Sequence, residues 1–144
     1  MRKYILIAIG GAFGAISRFI IKGIQIYNYK ENIPLNTLII NVLGSFLLAV
    51  ILTIALEIWE FDIDIRLGIG TGFLGAFTTF STLCKETVIL IQKGFYFSAL
   101  NYVMTSVMLG LASAYFGIVL AREIISKIVK KEYDDMKNIE GEMK

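Results

Sequence analysis

The sequence predicts an all-α membrane protein of four transmembrane helices, the third broken at its centre. Three observations carry that prediction. Of the 144 residues, 56% are hydrophobic and only 18% charged, too apolar a mixture for an ordinary soluble domain of this length. The apolar residues gather in four runs, approximately 4–26, 35–59, 67–91 and 95–120, and about 20 residues suffice to cross a hydrocarbon core. The third run places Gly68, Gly70, Gly72 and Gly75 ahead of Phe77, Thr78, Thr79, Phe80, Ser81 and Thr82. Glycine costs a helix about 1 kcal/mol relative to alanine, and serine and threonine hydroxyls compete for its backbone groups, so the helix is expected to unwind there. Irregular backbone at membrane depth persists only where protein covers it or water and ions meet it. The break therefore marks the expected ion or substrate site.

Residues 1–128 make up the expected four-helix transmembrane domain, and 129–144 a charged tail expected to be disordered. With no histidine and a single cysteine, Cys84, the chain offers neither a disulfide framework nor a His/Cys metal site. The net charge of +2 has its positive part near the ends, which suits anionic lipid headgroups. No basic patch with interleaved aromatics points to nucleic acid.

The first run follows Met1, Arg2 and Lys3. A secretory signal shares that basic start and the small residues Gly14, Ala15 and Ser17, but the length fits a membrane helix better, with Lys22 snorkelling near its end. Gly10 and Gly14, like Gly11 and Ala15, are four apart and form a small-residue face for close helix packing. Arg18 lies more than halfway through the run, where a charge facing lipid costs roughly 2.5–3.5 kcal/mol. It must face protein, water or headgroups, as an interfacial anchor or as a positive charge at the mouth of an anion path.

A polar loop with Asn28, Lys30, Glu31 and Asn32 leads to Pro34, suited to the first turn of the second helix. In that helix Asn41 is the only strongly polar residue away from the ends, and its amide needs a partner. Trp59 marks an interface, and Glu57, Glu60, Asp62 and Asp64 read as a solvated acidic connection rather than a metal site. In the fourth run Tyr102, Ser106 and Ser113 share a helical face, with Gly110 leaving space in the same stripe.

Taken together, Gly-Gly-Ala-Phe-Gly-Ala-Ile-Ser-Arg at 10–18, Pro34 with Thr37-Leu38, Asn41 with Gly44-Ser45-Phe46, and the whole of 72–82 resemble the small four-helix fluoride channels of the Fluc or CrcB family. Glu86 and the Tyr102, Ser106 pair also match that pattern. The resemblance implies a dimer of two oppositely inserted subunits in the cell's inner or plasma membrane. A structural sodium ion, not transported, would sit at its centre on the carbonyls of Gly75 and Thr78. It further implies two fluoride paths lined by Asn41, Phe80, Ser81, Thr82, Tyr102 and Ser106, with Arg18 nearer a vestibule. The family's second phenylalanine, three residues after the first, is Leu83 here, so an incomplete aromatic cage is expected. Gly110, Asn36 and Ala49 are further departures.

This donor set suits a small, strongly hydrated anion. Amide N–H and hydroxyl groups replace water without a permanent charge that would trap the ion, and the positive rim of an aromatic ring favours an anion edge-on. Nothing in the chain points to an enzyme. A small proton-coupled multidrug exporter is the alternative from another class, with Glu86 as its only plausible essential carboxylate. An accessory subunit, needing none of the hydroxyl chemistry, is a third.

Orientation bears on the partner. With both termini on one side, that side carries Arg2, Lys3, Arg66, Arg122, Lys127, Lys130 and Lys131, against Lys22, Lys30 and Lys93 opposite. Positive charge stays cytoplasmic, so the subunit is expected to insert mostly termini-inside. It then either tolerates that bias in a homodimer or pairs with an oppositely biased paralogue.

Overall fold

The computed structural model describes residues 1–24, 33–57 and 62–142, and of 128–142 the backbone alone. Four stretches are long and apolar enough to cross a membrane, which makes this a multi-pass membrane protein. They are α1 (Arg2–Gly23), α2 (Leu35–Glu57), a composite third span (Ile63–Gln92), and the apolar part of α6 (Tyr96–Glu142). The third span joins α3 (Ile63–Leu67), a π-helical segment (Gly68–Leu74), α4 (Gly75–Phe77) and α5 (Phe80–Gln92). No strand occurs among the described residues.

Local chemistry sets the ends of these elements. The third span opens at Ile63, ahead of the expected Leu67, because Asp62 caps it: its Oδ1 accepts the Asp64 N–H at 2.9 Å, and Arg2 pairs with its other oxygen at 2.9 Å. The first carbonyl of α2 belongs to Pro34, which accepts the Leu38 N–H at 3.3 Å. Asn36 closes α1, its Nδ2 donating to the carbonyls of Lys22 at 3.1 Å and Ile24 at 2.9 Å. That gives a role to Asn36, one of the departures from the resembled pattern. Beyond the end of α5 at Gln92, Gly94 has a φ of 82° that lets the chain reverse so that Phe95 N–H reaches the Leu90 carbonyl at 2.9 Å. α6 continues to Glu142, through the stretch where a disordered tail is expected; no proline or glycine interrupts it between Gly117 and Gly141. The loop expected at Asn28–Asn32, together with Trp59 and Glu60, lies outside the described residues.

The π-helical segment lies against α1 almost backbone to backbone. A Cβ on Gly10 would collide with the Gly68 carbonyl, and one on Gly14 with the Phe73 carbonyl. The small-residue face of the first run is thus a packing face. On the other side α2 runs along α6, where Ser113 Oγ donates to the Val42 carbonyl at 2.8 Å and Phe46 stacks on Phe116 with centroids 5.9 Å apart. Leu38, Leu83, Leu90, Ala99 and Tyr102 join α2, α5 and α6 in one buried cluster. At the end of the bundle that carries the termini, Arg122 Nε pairs with Glu57 Oε1 at 2.9 Å. Two of the four acidic residues of the connection are therefore committed to ion pairs.

Candidate functional site

The glycines do not unwind the third span; Thr78 and Thr79, beyond them, do. Gly68–Leu74 keeps a widened helical turn, whereas Thr78 (φ −75°, ψ 157°) and Thr79 (φ −152°, ψ 103°) are extended. Two threonines interrupt the helix because each has a substitute partner. Thr78 Oγ1 bonds back to the Leu74 carbonyl at 2.9 Å. Thr79 is the N-cap of α5: its Oγ1 accepts the Thr82 N–H at 3.2 Å and donates to Thr82 Oγ1 at 2.9 Å, with Ser81 Oγ at 3.3 Å.

Asn41 secures the break from α2. Its Oδ1 accepts the Thr79 N–H at 2.8 Å and its Nδ2 donates to the Thr79 carbonyl at 3.2 Å. The lone polar residue of the second run thus finds its partner in unwound backbone. Gly44, three residues on, makes room for it, since a Cβ there would collide with the Thr78 methyl group.

The four carbonyls from Gly75 to Thr78 are left without their helical donors as a result, those of Gly75 and Thr78 among them. In an unbroken helix Gly75 C=O would receive the Thr79 N–H, and Thr78 C=O the Thr82 N–H. The first goes to Asn41 and the second to the Thr79 hydroxyl. Hard oxygen ligands of this kind suit an alkali cation, and two from one chain fill only part of its shell.

Between α2, the break and α6 lies an open groove of about 320 Å³, lined by Asn41, Ser45, Thr79, Phe80, Leu83 and Ser106 among others. Ser106 Oγ donates to the Tyr102 carbonyl at 2.6 Å and Ser45 Oγ to the Asn41 carbonyl at 2.8 Å. Phe80 is 78% exposed at the groove's edge. Along α5 from the groove, Glu86 collects donors from three helices: Thr37 Oγ1 reaches its Oε1 at 3.0 Å, Tyr102 OH its Oε2 at 2.8 Å, and Lys22 Nζ lies 3.6 Å from Oε1. Groove and cluster meet at Tyr102, which bonds Glu86 with its hydroxyl and Ser106 with its carbonyl.

The family profile described as "CrcB-like protein, Camphor Resistance (CrcB)" matches residues 5–118. The chain belongs to the CrcB family. Among its curated relatives, a protein of Thermosipho melanesiensis named "Fluoride-specific ion channel FluC" is 47% identical over 83% of this chain and 96% of its own length. One of Methanocaldococcus jannaschii with the same name is 43% identical over 86% and 98%. A Bacillus anthracis protein named "Fluoride-specific ion channel FluC 1" is 41% identical over 88% and 94%.

In this CrcB-family chain the predicted site residues fall into three groups. Asn41, Phe80 and Ser106 line the groove together. Ser81 and Thr82 belong to the hydroxyl cluster in the first turn of α5, and Tyr102 to the Glu86 cluster. Gly75 opens α4 and Thr78 follows its last residue, with Gly75 exposed. Arg18 is half-buried on α1 and makes no ion pair among the described residues; the cation that approaches the polar cluster is Lys22, one turn further on. Leu83, in place of the second phenylalanine, is buried in the apolar cluster and also forms part of the groove wall.

Thr79, Ser45 and the partnership of Thr37 with Glu86 were not identified from the sequence. A signal existed for two of them. Thr37, Asn41 and Ser45 recur every four residues, which aligns three polar side chains on one face of an otherwise apolar helix.

Proposed function

We propose that the chain is a passive, fluoride-selective channel of the cell's inner or plasma membrane, through which fluoride leaves the cytoplasm. The observation that carries this reading is the groove at the break, where the Asn41 amide, the Ser45 and Ser106 hydroxyls and the Phe80 ring converge without a formal charge on the path. Neutral donors replace the water around a small anion and release it again. The first turn of α5 adds to this, because its positive dipole end and the Phe80 and Ser81 amides face the break. The relatives named as fluoride-specific channels support the same assignment.

The working unit is an antiparallel pair of subunits, either two copies of this chain or this chain with an oppositely biased paralogue. Phe80, exposed on a single subunit, then closes the groove of its partner. A sodium ion at the centre of the pair would be held by the carbonyls of Gly75 and Thr78 from each subunit. The fit is supported by the loss of both helical donors to those carbonyls. Bound there, the ion would supply a fixed positive charge at the two broken helices.

No coupled energy source is required, since an inside-negative potential of 100 mV favours expulsion of one negative charge by about 2.3 kcal/mol. The test is fluoride release from liposomes containing only the purified chain, with a potassium ionophore setting the voltage and chloride-loaded vesicles as control. Fast voltage-driven release of fluoride without chloride is expected. Absence of release from the chain alone and after co-reconstitution with an oppositely biased paralogue would overturn the reading.

A further inference from the structure

We propose that Ser45 on α2 is a fluoride ligand, supplying the hydroxyl that the row on α6 lacks at Gly110. The inference rests on the channel reading above. Tyr102 and Ser106 are four residues apart on one face of α6, and the next place in that row is Gly110, which has no side chain to offer. A Cβ built at Gly110 would meet a single atom within 4 Å, the Ser45 hydroxyl oxygen at 3.7 Å. The space that a side chain at 110 would occupy is thus faced by a hydroxyl from the opposite helix. Ser45 also lines the same groove as Asn41, Thr79, Phe80 and Ser106.

Its hydrogen bonding leaves it available to an ion. Ser45 Oγ donates to the Asn41 carbonyl four residues back, as Ser106 Oγ does to the Tyr102 carbonyl. Both acceptors lie inside regular helix, where each carbonyl already has the backbone N–H four residues on. The hydroxyl is a second donor to an oxygen that does not need it. Turning it towards an anion orphans no buried acceptor and exchanges a neutral hydrogen bond for a charge-assisted one. A fluoride ion in the groove then meets serines on both walls, Ser106 from α6 and Ser45 from α2, with Asn41 one turn from Ser45.

The test uses the full chain in liposomes and compares fluoride release by wild type, Ser45→Ala, Ser45→Thr and the double variant Ser45→Ala with Gly110→Ser. Loss of a hydrogen bond to a charged ligand should slow Ser45→Ala by roughly tenfold or more. Ser45→Thr, which keeps the hydroxyl, should retain fast release. The double variant should recover most of the lost rate, because the new hydroxyl enters the same space from the other helix. Wild-type speed in Ser45→Ala overturns the proposal, as does a folded double variant no faster than Ser45→Ala alone. If Ser45→Ala does not fold, Ser45→Cys replaces it, since a thiol is of similar size and a weak donor; release as fast as wild type then overturns the proposal. A wild-type chain that releases no fluoride under any pairing removes the channel reading itself, an outcome separate from any difference between variants.

Discussion

Asn41 and Thr79 meet at two points, the carboxamide of one reading both backbone groups of the other, N–H at 2.8 Å and C=O at 3.2 Å. Lying 38 residues apart in sequence, they tie the second span to the break of the third. Asn41→Ala removes both bonds and leaves two backbone groups without partners, so the variant should lose roughly 2–4 kcal/mol of stability at about 1–2 kcal/mol per group. Fluoride release should fall at least tenfold in parallel. Thermal unfolding in detergent and the liposome assay check the two effects. Asn41→Asp should be no rescue, because a carboxylate still accepts from Thr79 N–H but faces its carbonyl oxygen with no donor.

Removal of sodium tests the carbonyl pair at Gly75 and Thr78. Exchanging all sodium for a bulky organic cation during purification and assay should slow release and weaken the subunit pair. Size-exclusion chromatography and flux would show this together. Unchanged flux and an unchanged pair after exhaustive exchange would sink the sodium assignment.

Tyr102 holds one oxygen of the Glu86 carboxylate at 2.8 Å. Tyr102→Phe keeps the ring and its packing but leaves that carboxylate one donor short. A cost of about 1–3 kcal/mol is expected, read as a lower unfolding temperature.

Glu86→Gln separates a channel from a proton-coupled exporter. A glutamine still accepts from Thr37 through its carbonyl, and fluoride release driven by voltage alone should persist in it. Release should likewise be unaffected by a protonophore. Dependence of transport on a proton gradient, with loss in Glu86→Gln, would restore the exporter reading.

The close contact of α1 with the π-helical segment makes Gly14 intolerant of any side chain. Gly14→Ala sets a methyl group against the Phe73 carbonyl and should destabilise the fold by about 1–3 kcal/mol. Gly23→Ala, with nothing within 4 Å of its new Cβ, is the matched control and should unfold near the wild-type temperature.

The four spans were legible because hydrophobic run length reports bilayer thickness directly. The break was legible as a region, since hydroxyls and glycines in one apolar run contradict a regular helix. Which residues within 68–82 leave the helix was not: tertiary contact with α1 keeps the glycine run helical, and Asn41 holds the chain extended at Thr79. A cross-helix bond spanning 38 residues leaves no local trace. The resemblance supplied Asn41 and Phe80 as path residues, but that Asn41 uses both ends of its amide on the break is visible only in three dimensions. The start of the third span shifted for a similar reason, because Asp62 reads as a loop carboxylate until its capping bond to Asp64 is seen.

The groove of a single subunit is open along one flank, with Phe80 at its edge. On the dimeric reading, a freshly inserted chain carries only half a wall and no continuous hole. Unassembled copies then leave the membrane as tight to ions as lipid alone, and leakiness appears only when two halves find each other. On that reading spare subunits would not discharge the cell's voltage, and for a homodimer the number of open routes would rise with the square of the surface density of unpaired copies.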